Sequence, residues 1–335
     1  MIISASRRTD IPGFYSEWFM QRIRAGYCVV PNPVNRDQIM YISLKPEDVQ
    51  IIVFWTRHPT PLLPYLAELT DRGFKYYFLQ TILNYPRELE AQTPPLPVSL
   101  KSFRALSEMI GPERVIWRYD PLVFSNKTTA KFHQLSFEFI AQALKGYTRR
   151  AMISIVDFYA KAKPRMTALA DRGIDIIPCD RDPGGWFADL MSSLAKTAVD
   201  HDIQLVSCAE EIDLQPYGIP PGKCIDDKYI NQVFKLPVTN KKDPSQRRAC
   251  GCVASRDVGM YDSCLFGCCY CYATKNFDLA RANHRQHRPD SPSLLGWVDA
   301  KPTGKPAAAF FEPQPRSKPQ QLSFPFELGK EDQEN

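Results

Sequence analysis

Three cysteines near the C-terminal end, Cys264, Cys268 and Cys271, are spaced C-x3-C-x2-C, and the last follows an aromatic residue, Tyr270. That spacing suits a cubane iron–sulfur cluster with one iron left unligated by protein. Four protein thiolates close a cluster into an electron-transfer or structural centre. Three leave a coordination position open, the distinction that separates catalytic from structural metal sites. Zinc is the rival occupant. A zinc knuckle pairs C-x2-C units and uses four ligands, often with His among them, and His284 or His287 downstream could supply one. Cys269 adjoins Cys268, so its side chain should point away from any site that Cys268 shares. Gly259 and Gly267 would let the backbone turn tightly around the site.

The pattern resembles the signature of radical S-adenosylmethionine (radical SAM) enzymes, in the version C-x-x-G-C-x-Y-C-Y-A of spore photoproduct lyase and its relatives. Gly267, Cys268, Tyr270, Cys271, Tyr272 and Ala273 fall in step with it. The resemblance implies that Cys264, Cys268 and Cys271 hold a 4Fe-4S cluster and that the amino acid part of SAM chelates the free iron. It also implies that Tyr270 lies near the adenine and that an electron donor such as flavodoxin or ferredoxin reduces the cluster. In that family the loop follows the first barrel strand. Here it comes after about three-quarters of the chain, and no Gly-Gly-Glu segment follows it. The chain as a whole resembles a poorly characterised bacterial family with a barrel first and a cysteine loop last.

The elements that must position such a loop are legible as short apolar runs with helical stretches between them, the alternation that argues for a parallel sheet. The pattern predicts strands over Ile2–Ser6, Ile51–Trp55, Lys75–Gln80, Arg114–Arg118, Met152–Val156 and Gln204–Ser207. Helices are expected over Phe14–Ala25, Pro61–Arg72, Leu100–Ile110, Lys131–Gly146 and Gly185–His201. The fold class is therefore α/β, with a TIM-type (β/α) barrel, partial or full, as the expected architecture and a doubly wound open sheet as the alternative.

Polar residues follow each expected strand. Arg7, Arg8, Thr9 and Asp10 follow the first, Thr56, Arg57 and His58 the second, and Gln80, Asn84 and Tyr85 the third. Arg118, Tyr119 and Asp120 follow the fourth, Asp157 and Tyr159 the fifth, and Cys208 and Glu210 the sixth. In a barrel these ends share one rim, where active sites are built. Arg7, Arg8, Asp10, Arg57, Arg118 and Asp120 are the candidates for positioning a substrate. An arginine among them could grip a carboxylate or phosphate in a bidentate manner, although Arg118 and Asp120 could simply pair. His58 could be a general acid or base, or only a loop hydrogen-bond donor. His133 and His201 fall on helices and read as surface or core positions.

Four further cysteines, Cys208, Cys224, Cys250 and Cys252, match no tight metal motif, yet they could bind an auxiliary iron–sulfur cluster or zinc near the same rim. The bland alternative is that some are buried small apolar residues. Cys28 and Cys179 lie apart from both sets and read as structural.

Ten cysteines are metal ligands or buried thiols rather than disulfides if the compartment is reducing. No secretory signal pattern opens the chain and no long apolar run suggests a membrane span, so a cytoplasmic location is expected. The 335 residues, 44% apolar, can bury a sizeable core, and a net charge of +5 permits nucleic-acid binding without demanding it. The expected organisation is a (β/α) barrel over 1–240, a cysteine-rich cluster segment over 241–292 and a disordered tail over 293–335. Within the tail, Gln321, Leu322, Ser323, Phe324, Pro325 and Phe326 resemble the short peptide by which bacterial polymerases and repair proteins bind the sliding clamp. The alternative is that this segment packs on its own barrel. The basic stretch Lys275–Arg288 could meet phosphates or form a solvated face.

The leading expectation is a radical SAM-like iron–sulfur enzyme acting on an unknown substrate, with the tail hinting at DNA. Two alternatives stand beside it. One is a non-radical enzyme using the open iron as a Lewis acid. The other is a DNA-associated, clamp-recruited binding protein with a structural metal.

Overall fold

Six apolar runs, each buried on both faces, build one parallel sheet. The computed structural model describes residues 1–298 apart from 34, 36–37 and 180–184. The chain opens with β1 (Ile2–Ala5), helices α1 (Ile11–Phe14) and α2 (Ser16–Ala25), and an antiparallel pair, β2 (Tyr27–Pro31) and β3 (Ile39–Ser43). There follow β4 (Ile51–Thr56), a 3-10 turn running into α3 (Leu66–Asp71), β5 (Tyr76–Thr81), α4 (Leu96–Ile110) and β6 (Val115–Leu122). Next come α5 (Ala130–Leu144), β7 (Arg150–Ile155), α6 (Lys163–Thr167), α7 (Gly185–Asp200) and β8 (Gln204–Cys208). The last elements are β9 (Pro221–Gly222), α8 (Asp227–Phe234), β10 (Arg256–Asp257) and α9 (Phe277–Arg285).

The sheet order is β10-β1-β4-β5-β6-β7-β8-β9, with parallel neighbours throughout. The six long strands stand in chain order, without the reversal that marks the switch point of a doubly wound sheet. Each matches an expected strand to within a few residues at its ends. The expected helix Phe14–Ala25 is broken at Tyr15, because Asp10 caps a separate short helix by accepting from Gly13 N at 2.8 Å. The pair β2 and β3 was not expected. It lies outside the main sheet, and its short runs lack the helix-flanked spacing by which the other strands stand out.

Alternation along the strands sends side chains to two apolar layers. Ile52, Phe54, Tyr76, Phe78, Val115 and Trp117 pack with residues of α2, α3, α4, α5 and α7. Ile51, Val53, Trp55, Tyr77, Leu79 and Ile116 face the other way, against α8 and the cysteines Cys208, Cys224, Cys250 and Cys252. Burial on both faces explains why these strands read as continuous apolar runs rather than alternating ones. The described residues belong to one compact unit, within which Ser291 and Ser293 are buried near α2 and β2: Trp18 Nε1 donates to Ser291 O at 2.9 Å. Among the described residues no helix is long and apolar enough to cross a membrane. The clamp-like segment Gln321–Phe326 lies outside the described residues.

Candidate metal and substrate site at the strand ends

The cysteine loop reaches the strand ends through β10. This two-residue strand pairs with β1, Ile3 opposite Arg256 and Ser4 opposite Asp257, and so stands first in the sheet. The Asp257 carboxylate fixes the pairing. It accepts from Ser4 Oγ at 2.6 Å, Ser6 Oγ at 2.7 Å, Arg7 N at 2.8 Å and Gly259 N at 2.9 Å. Gly259 is required for closeness, since a Cβ there would collide with Ser6 Oγ and Cβ. From this edge the chain enters the cysteine loop directly.

The loop is tied on several sides. Gly267 takes a left-handed φ of 67°, which a glycine adopts without steric penalty. Gln92 N donates to Phe266 O at 2.9 Å and Cys269 N to Leu89 O at 3.0 Å, so the loop lies along the segment after β5. Arg165 holds three of its carbonyls, those of Cys269 at 3.0 Å, Cys271 at 2.5 Å and Lys275 at 3.1 Å. Tyr15 donates to Ser263 O at 2.6 Å and Tyr272 to Arg7 O at 2.7 Å.

At its centre the loop meets a buried ionic group. Arg57 donates to the Tyr270 hydroxyl at 2.6 Å and pairs with Glu90 at 2.8 Å, while Tyr270 itself donates to Glu90. Arg57 N in turn donates to Asp10 at 2.6 Å. Burial pushes the Asp10 carboxyl up to about 6, against the opposing hydrogen bonds from Arg57 N, Thr56 and Gly13. Cys264, Cys268 and Cys271 lie within electrostatic reach of one another, and Cys264 and Cys268 also within reach of Arg57. Burial drives the Cys268 thiol well above its usual range, and the Arg57 charge works against that shift. Cys268 is buried while Cys264 and Cys271 are partly exposed.

Among the described residues no three His, Cys, Asp or Glu side chains are set as a ready-made metal cage. The donor chemistry nonetheless fits an iron–sulfur cluster: three soft thiols on one short loop, beside an arginine able to offset anionic charge. Two buried polar atoms at the same strand ends, Thr9 Oγ1 and His58 Nδ1, have no hydrogen-bond partner among the described residues. The two histidines weighed for zinc are engaged elsewhere, His284 with the Tyr15 hydroxyl at 3.3 Å and His287 with Leu294 O at 2.7 Å. Cys269 is buried, and its thiol is pushed up to about 12 by that burial.

The other residues read from the sequence fall as follows. Arg7 donates to Ser255 Oγ at 3.2 Å and stacks over Trp55, and Arg8 donates to Gly259 O at 3.3 Å. Arg118 pairs with Asp120, which also accepts from Ser154. His58 donates through its backbone, N to Thr56 Oγ1 at 2.9 Å, and burial lowers its pKa. His133 is a core residue between the Tyr119 hydroxyl and Val123 O. Cys28 is fully buried, its thiol raised to about 12. Glu90, Asp257 and Arg165 escaped the sequence reading. Glu90 sits well past its strand, Asp257 on a strand of two residues and Arg165 in a short helix, so none carries a local signal.

A family model described as a domain of unknown function (DUF1848) matches residues 2–273. The chain belongs to this family. The DUF1848 span runs from β1 through Ala273, so it takes in the parallel sheet, both sets of cysteines and the whole loop as one unit. Comparison with curated proteins and with solved structures gives no match.

Proposed function

We propose that the protein is an iron–sulfur enzyme of radical SAM-like type, with Cys264, Cys268 and Cys271 as ligands of a 4Fe-4S cluster whose fourth iron takes SAM. One observation carries this reading. The cysteine loop is late in the chain, but it follows β10, the strand that stands first in the sheet, beside β1. In the radical SAM family the loop likewise follows the first strand. Position in the sheet, rather than in the chain, is what places a loop over a site, and β10 supplies that position from the other end of the sequence. On this reading the sheet is a partial (β/α) barrel, with α8 and the second cysteine set on its inner side.

When bound, the cluster would supply the electron for reductive cleavage of SAM to methionine and a deoxyadenosyl radical. The chain's own part is to hold, orient and seclude. Arg165 and Gly267 fix the loop backbone, and Arg57 and Glu90 fix the Tyr270 ring by its hydroxyl. The resemblance places that ring by the adenine. Arg57 also offsets the negative charge that thiolates bring into a buried setting. Arg7, Arg8, Arg118 and Asp120 at the neighbouring strand ends are the groups to position a substrate.

The test is anaerobic purification with iron and sulfide analysis, electron paramagnetic resonance with and without SAM, and assay for deoxyadenosine under reduction. A spectrum altered by SAM and formation of deoxyadenosine are expected. A loaded cluster that gives neither would reject SAM chemistry, and colourless protein with zinc on these sulfurs would reject the cluster.

A further inference from the structure

Cys208, Cys224, Cys250 and Cys252 come from three separate stretches of chain and end in one place. Cys208 closes β8, Cys224 lies just past β9, and Cys250 and Cys252 precede β10. Their exposures are 8%, 5%, 8% and 2%. Cys208 Sγ lies 3.2 Å from Cys224 Sγ, and Cys250 and Cys252 lie within electrostatic reach of this pair. Ile225 N donates to Cys252 Sγ at 3.4 Å, the backbone N–H to sulfur bond that commonly supports a thiolate ligand. The four thiols thus share one buried apolar layer, two of them in direct contact.

Small apolar residues could fill the same space, and Val206, Ile225 and Val253 do pack around it. What apolar filling does not explain is that four soft donors from three stretches of chain converge in one layer. The Arg7 guanidinium lies within electrostatic reach of Cys252 and Cys224, and Arg118 within reach of Cys208 and Cys224. Both arginines have carboxylate partners, Arg7 in Asp243 at 3.8 Å and Arg118 in Asp120. They do not need the thiols as counter-charges, but their positive charge favours the thiolate over the thiol.

We propose that these four cysteines form a second, closed metal site that binds zinc as a tetrathiolate. Each thiol releases one proton on binding, so a dication with four thiolates carries a net charge of two minus, a sign that the nearby Arg7 and Arg118 favour. Size favours a single ion over a cubane. Zn–S bonds of about 2.3 Å set the sulfurs about 3.8 Å apart in a tetrahedron. The 3.2 Å contact needs only a small spread to reach that, whereas a cluster of four irons needs a far larger one. The site would join the end of β8 to the segment leading into β10, and so would anchor the approach to the Cys264 loop. It stands independently of the function proposed above.

The test separates the two sites. In full-length protein carrying C264A, C268A and C271A together, one zinc per chain is expected, and C224S or C252S added to that variant should abolish it. Cobalt(II) put in place of zinc in the same triple variant should give the intense visible bands of a tetrahedral tetrathiolate. Should the variants fold poorly, zinc released from wild-type protein by titration with a mercurial gives the same stoichiometry. The proposal is overturned if the triple variant holds no metal, if it holds iron with acid-labile sulfide, or if anaerobic protein shows a Cys208–Cys224 disulfide by non-reducing mass spectrometry.

Discussion

Arg57 Nη2 lies 2.6 Å from the Tyr270 hydroxyl and 2.8 Å from Glu90, joining the end of β4 to a loop 213 residues further along the chain. The arginine and glutamate side chains are only 13% and 3% exposed, so neither charge can turn to water if its partner is lost. Removing one partner of a buried pair costs about 3–5 kcal/mol, because the other stays behind uncompensated. Glu90→Ala and Arg57→Ala should each lower stability by that order in urea titration, and Arg57→Lys should not restore it. The double variant should lose clearly less than the sum of the two. Additive losses would show that the pair is not coupled.

Asp257 offers a second test of the long-range docking. Asp257→Asn replaces one accepting oxygen with a donor, so that at least one of the four hydrogen bonds to the carboxylate is lost. A cost of about 1–3 kcal/mol is expected for a buried donor left unsatisfied. Hydrogen exchange should localise the loosening to β1, β10 and the cysteine loop. Uniform exchange behaviour across the sheet would contradict the docking role.

Gly259→Ala should be worse than its size suggests. The added methyl would occupy the place of Ser6 Oγ, so β10 must move off the end of β1. Overpacking of this kind costs about 1–3 kcal/mol or more. The companion change Ser6→Gly removes the colliding side chain and should recover part of the loss in thermal melts.

Asp10 sets a pH dependence. Its folded carboxyl titrates near 6, above the ordinary value of 3.8. As pH rises, the unfolded chain releases this proton first, so stability falls between about pH 4 and pH 6 and the loss is complete above that window. The full difference is ~3 kcal/mol. Asparagine also caps helices but can accept from only one of Gly13 N and Arg57 N, so Asp10→Asn should flatten this part of the stability profile while losing one hydrogen bond at every pH. A profile with an unchanged slope would assign the effect to another group.

Much of the architecture was legible because it rests on local periodicity. The six strands and the helices between them are long enough, and buried enough on both faces, for apolar runs such as Ile51–Trp55 to stand out. The cysteine loop stood out because the C-x3-C-x2-C spacing is a property of adjacent residues. Glu90, Asp257 and Arg165 were not, since each matters only through what it meets: a tyrosine, a strand end and three carbonyls far along the chain. The second cysteine set lay between these cases. Its residues could be named from the sequence, but their meeting could not.

By itself the sequence determined the element types, the parallel alternation and the spacing of the loop cysteines, because these depend on residue chemistry at short separation. Only the tertiary structure decided that β10 lies beside β1 and brings the late loop to the head of the sheet. Strand pairing is a choice among distant partners, made by the half-buried carboxylate of Asp257 and the bare backbone of Gly259, and neither effect exists until the two ends of the chain meet.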